Sequence, residues 1–116
     1  MYQAPRGTYD VLPSQQPFWR YVESSLSNSA QSFGYSRIDT PIFEDTNVFL
    51  RSVGLETDII GKEMYTFQDR GGQDLSLRPE GTAAVCRAYI EHGMQNSALP
   101  VRLFYYAPMF LSLIHI

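Results

Sequence analysis

The sequence predicts an α+β domain in which helices flank a mostly antiparallel sheet. Apolar residues recur every three or four positions over residues 14–33, which indicates one long amphipathic helix. Two short β-prone segments then bracket the glycine turn DRGG at residues 69–72. An alanine-rich helical segment and a further β-prone run follow. A long helix, a hairpin, a helix and a strand in this order favour the α+β class.

The N-terminal half is predicted to contain two helices separated by an extended segment. Residues 1–13 carry proline and glycine turn signals and should form a loop. The first helix is predicted from a cap at Ser14 to about Phe33, with Gly34 as its stop. Residues 35–43, interrupted by a proline, should be extended, and residues 46–54 should form a short helix. The apolar stripe of the first helix consists of Phe18, Val22, Leu26, Ala30 and Phe33.

The C-terminal half is predicted to begin with a β-hairpin. Its strands are Met64–Gln68 and Leu75–Arg78, on either side of the glycine turn. A helix from about Pro79 to His92 should follow, because proline is tolerated in a first helical turn. Residues 101–110, VRLFYYAPMF, are strongly β-prone and predict a final strand.

The composition points to a soluble, globular, cytoplasmic protein. The 116 residues suit one domain or part of one, and 44% of them are hydrophobic, enough for a packed core. The net charge of −3 provides no overall basic field to attract nucleic acid. One cysteine excludes an internal disulfide and fits a reducing compartment. The sequence shows neither a signal peptide nor an apolar run that would span a membrane.

The segment LRPEGT at residues 77–82 joins a predicted strand to a predicted helix. Glu80 and Thr82 are two residues apart, so extended backbone would place both side chains on one side. A carboxylate offers only acceptors and therefore suits a cation such as an ammonium group. Arg78 is placed to hold Glu80 or to meet a second carboxylate. From the residues alone, a ligand site and an ordinary helix cap both remain open.

Several segments in order resemble the histidyl-tRNA synthetase family of class II aminoacyl-tRNA synthetases. They are PRGTYDVLP (5–13), FGYSRIDTPIFE (33–44), RSVGLETDIIGKEMYTFQDR (51–70) and LSLRPEGTAAVCRA (75–88). The resemblance implies that residues 1–110 form the N-terminal part of a class II catalytic domain with an incomplete antiparallel sheet. It also implies that the PEGT turn, with Glu80, Gly81 and Thr82, receives the ammonium group of histidine and that Arg78 supports it.

Residues 33–44 resemble class II motif 1, which in the family forms much of the dimer interface. The resemblance therefore implies a homodimer. The alternative for the same residues is an ordinary buried strand. The candidate interface residues are Phe33, Tyr35, Ile38, Pro41, Ile42 and Phe43.

Residues 103–110 resemble the strand that opens class II motif 2. In the family an arginine follows directly and holds the ATP α-phosphate, whereas this sequence has Leu111. The resemblance therefore assigns no catalytic residue to this chain. Residues 111–116, LSLIHI, are interpreted as a non-native tail, because one permitted codon choice resembles a sequencing-library adapter. The alternative is a genuine apolar C-terminal strand.

The resemblance implies a histidine–tRNA ligase that uses ATP and Mg²⁺ to activate histidine and transfers it to tRNA(His), although the chain alone is expected to be inactive. The alternative is the regulatory subunit of ATP phosphoribosyltransferase, a catalytically silent, histidine-sensing protein with the same fold. The uninterrupted TDIIGKEMYTF and LSLRPEGT segments favour the ligase. No metal site is predicted, because both histidines are isolated from other metal-binding side chains. No phosphate-binding loop is predicted either, because GLETDIIGKE departs from the spacing of that motif.

Overall fold

The computed structural model describes residues 1–52 and 63–112. The chain divides into two compact units, Met1–Ser36 and Arg37–Ile116. The last two residues of the predicted 46–54 helix and part of the GLETDIIGKE segment lie outside the described residues. Helices and strands therefore occur in both units, as expected for an α+β chain.

The first unit is built around helix α1, Gln16–Ser32. A short 3-10 helix, Pro13–Gln15, precedes it, and the Gln15 side-chain oxygen accepts a hydrogen bond from the Leu12 amide at 3.0 Å. The predicted cap at Ser14 is wrong, because the N-cap of α1 is Gln15, which makes no side-chain cap hydrogen bond to the helix. At the other end Gly34 adopts φ +82°, a left-handed conformation that ends the helix. The predicted glycine stop is confirmed.

The apolar stripe of α1 is only partly covered. No residue of the helix is fully buried. Phe18 keeps 69% and Leu26 53% of its surface exposed, whereas Val22 and Ala30 are half-buried. The sequence period thus predicts the helix correctly, and its large apolar side chains remain mostly exposed.

The main sheet of the second unit has three antiparallel strands. They are β2 (Phe43–Asp45), β3 (Thr66–Gln68) and β4 (Asp74–Leu77), in the order β2-β4-β3. Central Ser76 lies opposite Glu44 on one side and Thr66 on the other. The predicted hairpin is confirmed, and its turn is fixed by Gly72 at φ +83° and by a hydrogen bond from the Gln73 amide to Asp69.

A second, two-stranded sheet joins β1 (Ser36–Arg37) to β5 (Leu103–Phe104). Just after β1, the Ile38 amide donates to the Phe104 carbonyl at 3.0 Å. The strand predicted over residues 101–110 is therefore regular only at β5. Beyond it, the Phe110 amide donates to the Arg78 carbonyl at 2.8 Å.

Two helices pack on one face of the three-stranded sheet. They are α2 (Thr46–Ser52) and α3 (Thr82–Glu91). Phe49 of α2 is fully buried and packs with Met64 and with Ala83 of α3. Small residues on α3 permit this close approach: Ala83, Ala84 and Ala88 are all buried. The core thus lies directly beneath the first turn of α3.

A short 3-10 helix, Met94–Asn96, follows α3. Among the helices of the described part of the chain, none is long and apolar enough to cross a membrane.

Candidate functional site

Arg78, the residue that directly follows β4, is buried with 6% of its surface exposed. Its guanidinium donates to the Pro108 carbonyl at 2.9 Å and to the Thr40 carbonyl at 3.1 Å. It therefore ties the segment before β2 to the segment after β5. Among the described residues, the hydrogen bonds of the Arg78 guanidinium go to backbone carbonyls and not to Glu80, the partner that was expected.

Glu80 lies in the turn between β4 and α3 and caps that helix. Its Oε2 accepts from the Thr82 amide at 2.6 Å, and its Oε1 accepts from the Ala83 amide at 3.0 Å. These amides belong to the first turn of α3 and have no partner within the helix. The helix consequently begins at Thr82 rather than near Pro79, where it was predicted. A carboxylate has about four acceptor positions. Two amides therefore leave it able to receive a further donor.

Gly81 lies directly against the ring of Tyr105. A Cβ atom on Gly81 would stand 2.6 Å from the Tyr105 Cζ and 2.8 Å from its hydroxyl oxygen. No side chain fits at position 81 unless the ring moves. The Tyr105 hydroxyl lies 3.5 Å from the Thr82 hydroxyl, at the outer limit of a hydrogen bond. Gly81 and Thr82 thus both lie against the Tyr105 side chain from the segment after β5.

A buried ion pair fixes the body of α3 against β2. Glu44 is 8% exposed, and Arg87 donates to it from Nη2 at 2.7 Å and from Nε at 3.0 Å. Arg87 also donates to Glu91, one turn along the same helix, at 2.7 Å. The hydrogen bonds to the Glu44 carboxylate raise the pKa of Arg87 above its ordinary value. The direction of α3, and hence of its first turn, is set by this pair.

Comparisons with known proteins agree with this arrangement. The family model for histidyl-tRNA synthetase matches residues 7–112. The chain belongs to the histidyl-tRNA synthetase family. A histidine–tRNA ligase of Dehalococcoides mccartyi is 59% identical over 110 residues, which are 95% of this chain and 26% of that protein. The chain therefore spans about a quarter of the length of such curated relatives.

Two solved structures give the same result for the fold. Apo Staphylococcus aureus histidyl-tRNA synthetase matches with a TM-score of 0.81 and 47% identity, over 95% of this chain and 29% of that one. A Bacillus halodurans protein, described as an ATP phosphoribosyltransferase regulatory subunit/histidyl-tRNA synthetase, matches with a TM-score of 0.78 and 26% identity, over 97% of this chain and 28% of that one. The class II synthetase-like α+β fold is confirmed, and the higher identity lies with the synthetase.

The predicted motif 1 residues are accessible rather than buried. In the first unit, Phe33 is 73% and Tyr35 40% exposed. In the second unit, Ile42 is 49% and Phe43 48% exposed. Ile38 is half-buried and Pro41 is exposed. None of the six belongs to the buried core of the described residues.

A small apolar patch surrounds Phe43 in the second unit. Its ring contacts the ring of Phe67 edge-on, with centroids 6.0 Å apart, and Phe67 is itself 42% exposed. Leu75 and Leu77 of β4 point to the same face, because they lie opposite Asp45 and Phe43 in the ladder. This face is opposite the one that α2 and α3 cover.

Position 111, after the residues that resemble motif 2, carries an uncharged leucine that is 38% exposed. The next residue, Ser112, donates its amide to the Glu63 carbonyl at 2.7 Å. Residues 1–52 and 63–112 contain no group of three His, Cys, Asp or Glu side chains that could hold a metal ion. We therefore assign no ATP or Mg²⁺ contact to the described residues.

Two contacts of the site were missed by the sequence analysis. The Glu44–Arg87 pair joins residues 43 positions apart, and neither residue has a local signal that names its partner. The contact of Gly81 with Tyr105 joins the helix start to the segment after β5, which are also distant in sequence. A glycine directly before a helix was the available signal, because it permits close approach of another group.

Proposed function

We propose that this chain is the N-terminal part, residues 1–110, of the catalytic domain of a histidine–tRNA ligase. The whole protein would use ATP and Mg²⁺ to activate histidine and would transfer it to tRNA(His) in the cytoplasm. The names of its relatives support the activity. The observation that supports the role of this segment is the Glu80 carboxylate, whose two oxygens accept the Thr82 and Ala83 amides at the start of α3.

Within this proposal, Glu80 and Thr82 bind the ammonium group of histidine. Glu80 is half-buried, and its two contacts to α3 fix the carboxylate before any ligand arrives. Such pre-organisation lowers the entropy cost of binding. Gly81 lets the chain turn beneath Tyr105, and Arg78 holds the surrounding segments in place. These residues orient the substrate and transfer no proton.

We further propose that the whole protein is a homodimer through the motif 1 residues. Support comes from the exposed side chains of Ile42 and Phe43 and from the apolar neighbour Phe67. Exposed apolar patches of this kind mark association surfaces.

A chimera tests the proposed activity. Residues 1–110 of this chain would replace the matching segment of the Dehalococcoides mccartyi ligase, so that the relative supplies everything after position 110. We expect histidine-dependent exchange of pyrophosphate into ATP, followed by charging of tRNA(His). A matched chimera with leucine at position 111 should lose exchange, because a cation on the ATP phosphate would be missing. A folded chimera that binds histidine without exchange would instead favour the regulatory-subunit alternative.

A further inference from the structure

We propose that Tyr105 is a positioning residue for the amino-acid ammonium group. This inference rests on the proposed function and names a residue beyond the PEGT turn. The phenol end of the Tyr105 ring covers the Cα of Gly81, and its hydroxyl faces the Thr82 hydroxyl at 3.5 Å. Tyr105 therefore sets both the space at position 81 and the direction of the Thr82 hydroxyl.

The hydrogen-bond capacity of Thr82 explains why its hydroxyl needs a partner. A threonine hydroxyl has one proton and two acceptor positions, whereas an ammonium group only donates. Thr82 can bind the ammonium only with an acceptor position, so its own proton must point elsewhere. The Tyr105 oxygen is the acceptor that the structure places within reach. With the proton directed to Tyr105, both acceptor positions of Thr82 are free for the ligand.

The backbone holds Tyr105 in this place. It follows β5 directly, and β5 is anchored by the bond from the Ile38 amide to the Phe104 carbonyl. Beside the ring, a cleft is lined by Ile38, Thr40, Arg78, Ala107 and Met109. Arg78 links two sides of this cleft through the Thr40 and Pro108 carbonyls. A residue on a braced strand end can orient a neighbour more accurately than one on a free loop.

The proposal separates a steric role of the ring from an electrostatic role of the hydroxyl. In the chimera described above, Tyr105→Phe keeps the ring and removes the acceptor. We expect it to raise the histidine KM about three- to tenfold, the range of one neutral hydrogen bond, while the ATP KM stays within about twofold. Tyr106→Phe is the matched control, since the same change one residue along should leave both constants unaltered.

Substitution at Gly81 tests the steric role. Gly81→Ala should lower kcat/KM for histidine at least about tenfold, because the added Cβ meets the ring. Adding Tyr105→Leu should recover part of that loss, whereas adding Tyr105→Phe should not, since a phenylalanine ring occupies the same space. Such recovery is a coupling between the two residues, which general damage to the fold would not produce.

The possible failures are distinguishable. If the unmodified chimera shows no histidine-dependent exchange, the proposed function fails. If it is active but Tyr105→Phe leaves the histidine KM unchanged, the positioning role of the hydroxyl is wrong. Equal increases in the histidine and ATP constants would also overturn it, since they would indicate a general structural effect. An additive double variant of Gly81 and Tyr105 would overturn the steric contact.

Discussion

Glu44 and Arg87 form a two-contact ion pair that joins β2 to α3. Glu44 is nearly buried, with 7% of its side chain exposed, whereas Arg87 keeps 29%. A carboxylate in that position needs the cation, since burial without a partner is costly. Arg87 has a second acceptor in Glu91 and access to solvent. Glu44 therefore depends on Arg87 more than Arg87 depends on Glu44, and the stability of variants at the two positions can measure this difference.

We expect Arg87→Met to destabilise α3 more than Glu44→Gln does. The arginine substitution leaves a buried carboxylate unpaired and should lower the free energy of opening of α3 by about 3 kcal/mol. The glutamine variant leaves an arginine that can turn to Glu91 or to water, and should cost about 1 kcal/mol. Native-state hydrogen exchange of the α3 amides in the chimera measures both values. Equal losses would show that the exposure difference has no energetic effect.

Arg78→Lys should loosen the segments that Arg78 joins. Lysine has one ammonium group in place of the planar guanidinium with its several N–H donors. The Thr40 or the Pro108 carbonyl therefore loses its donor. An unsatisfied buried carbonyl costs about 1–3 kcal/mol. We expect faster exchange of the Phe110 amide, which donates to the Arg78 carbonyl. Arg102→Lys, at an exposed position, is the matched control and should leave that amide unchanged.

Local signals predicted the elements whose partners are close in sequence. The DRGG turn predicted the β3–β4 hairpin, and Gly34 predicted the end of α1. The β-prone run at residues 101–110 was only partly informative, because a strand needs a neighbour and β5 finds one only beside β1. Strand pairing between distant segments depends on tertiary packing, which a local sequence pattern does not predict.

At the junction of β4 and α3, the sequence named candidate residues but not the contacts that they make. Spacing placed Glu80 and Thr82 together, and both a cap and a ligand site remained open. The structure shows the cap directly, since both Glu80 oxygens accept helix amides. Arg78 was expected to meet a carboxylate, yet it binds carbonyls from distant segments. The sequence position of a charged residue does not predict which acceptor its side chain binds once it is buried.

Glu80→Gln in the chimera should raise the histidine KM while leaving the ATP KM within about twofold. A neutral amide accepts more weakly from an ammonium than a carboxylate does, at a cost of about 1–3 kcal/mol. The substitution also weakens the cap of α3, so a matched control is needed. Asp45→Asn supplies it, because Asp45 caps α2 by accepting the Asn47 amide at 2.9 Å. A histidine KM that responds equally to both variants would exclude Glu80 as the ammonium ligand.

Asp45 should make the start of α2 sensitive to acid. The Asn47 amide and then the Gln73 side chain hold the pKa of the Asp45 carboxyl below its ordinary value of 3.8. A carboxyl whose pKa is lowered by folding contributes stability above the unfolded pKa and loses it as the pH falls through the folded pKa. The loss should therefore begin below about pH 4. NMR titration of the Asp45 carboxyl should give a midpoint below 3.8. A midpoint at or above that value would contradict the two hydrogen bonds.

The exposed motif 1 surface should cause the 116-residue chain to associate in solution. Ile42, Phe43 and Phe67 each keep more than 40% of their surface exposed on a short, open sheet. Apolar exposure and unpaired strand edges both favour self-association. We expect light scattering to show dimers or larger species at micromolar concentration. Replacing Ile42 and Phe43 with serine should shift the population towards monomer, whereas Tyr9→Ser, at an exposed aromatic in the other unit, should not.

Deleting residues 111–116 should reduce the larger species and leave pairing through motif 1 intact. The deletion removes four aliphatic residues from a run that is already β-prone, and such runs promote aggregation. Circular dichroism at each step would show that the variants remain folded. A cooperatively unfolding monomer, indifferent both to the deletion and to the serine substitutions, would show that neither surface drives association.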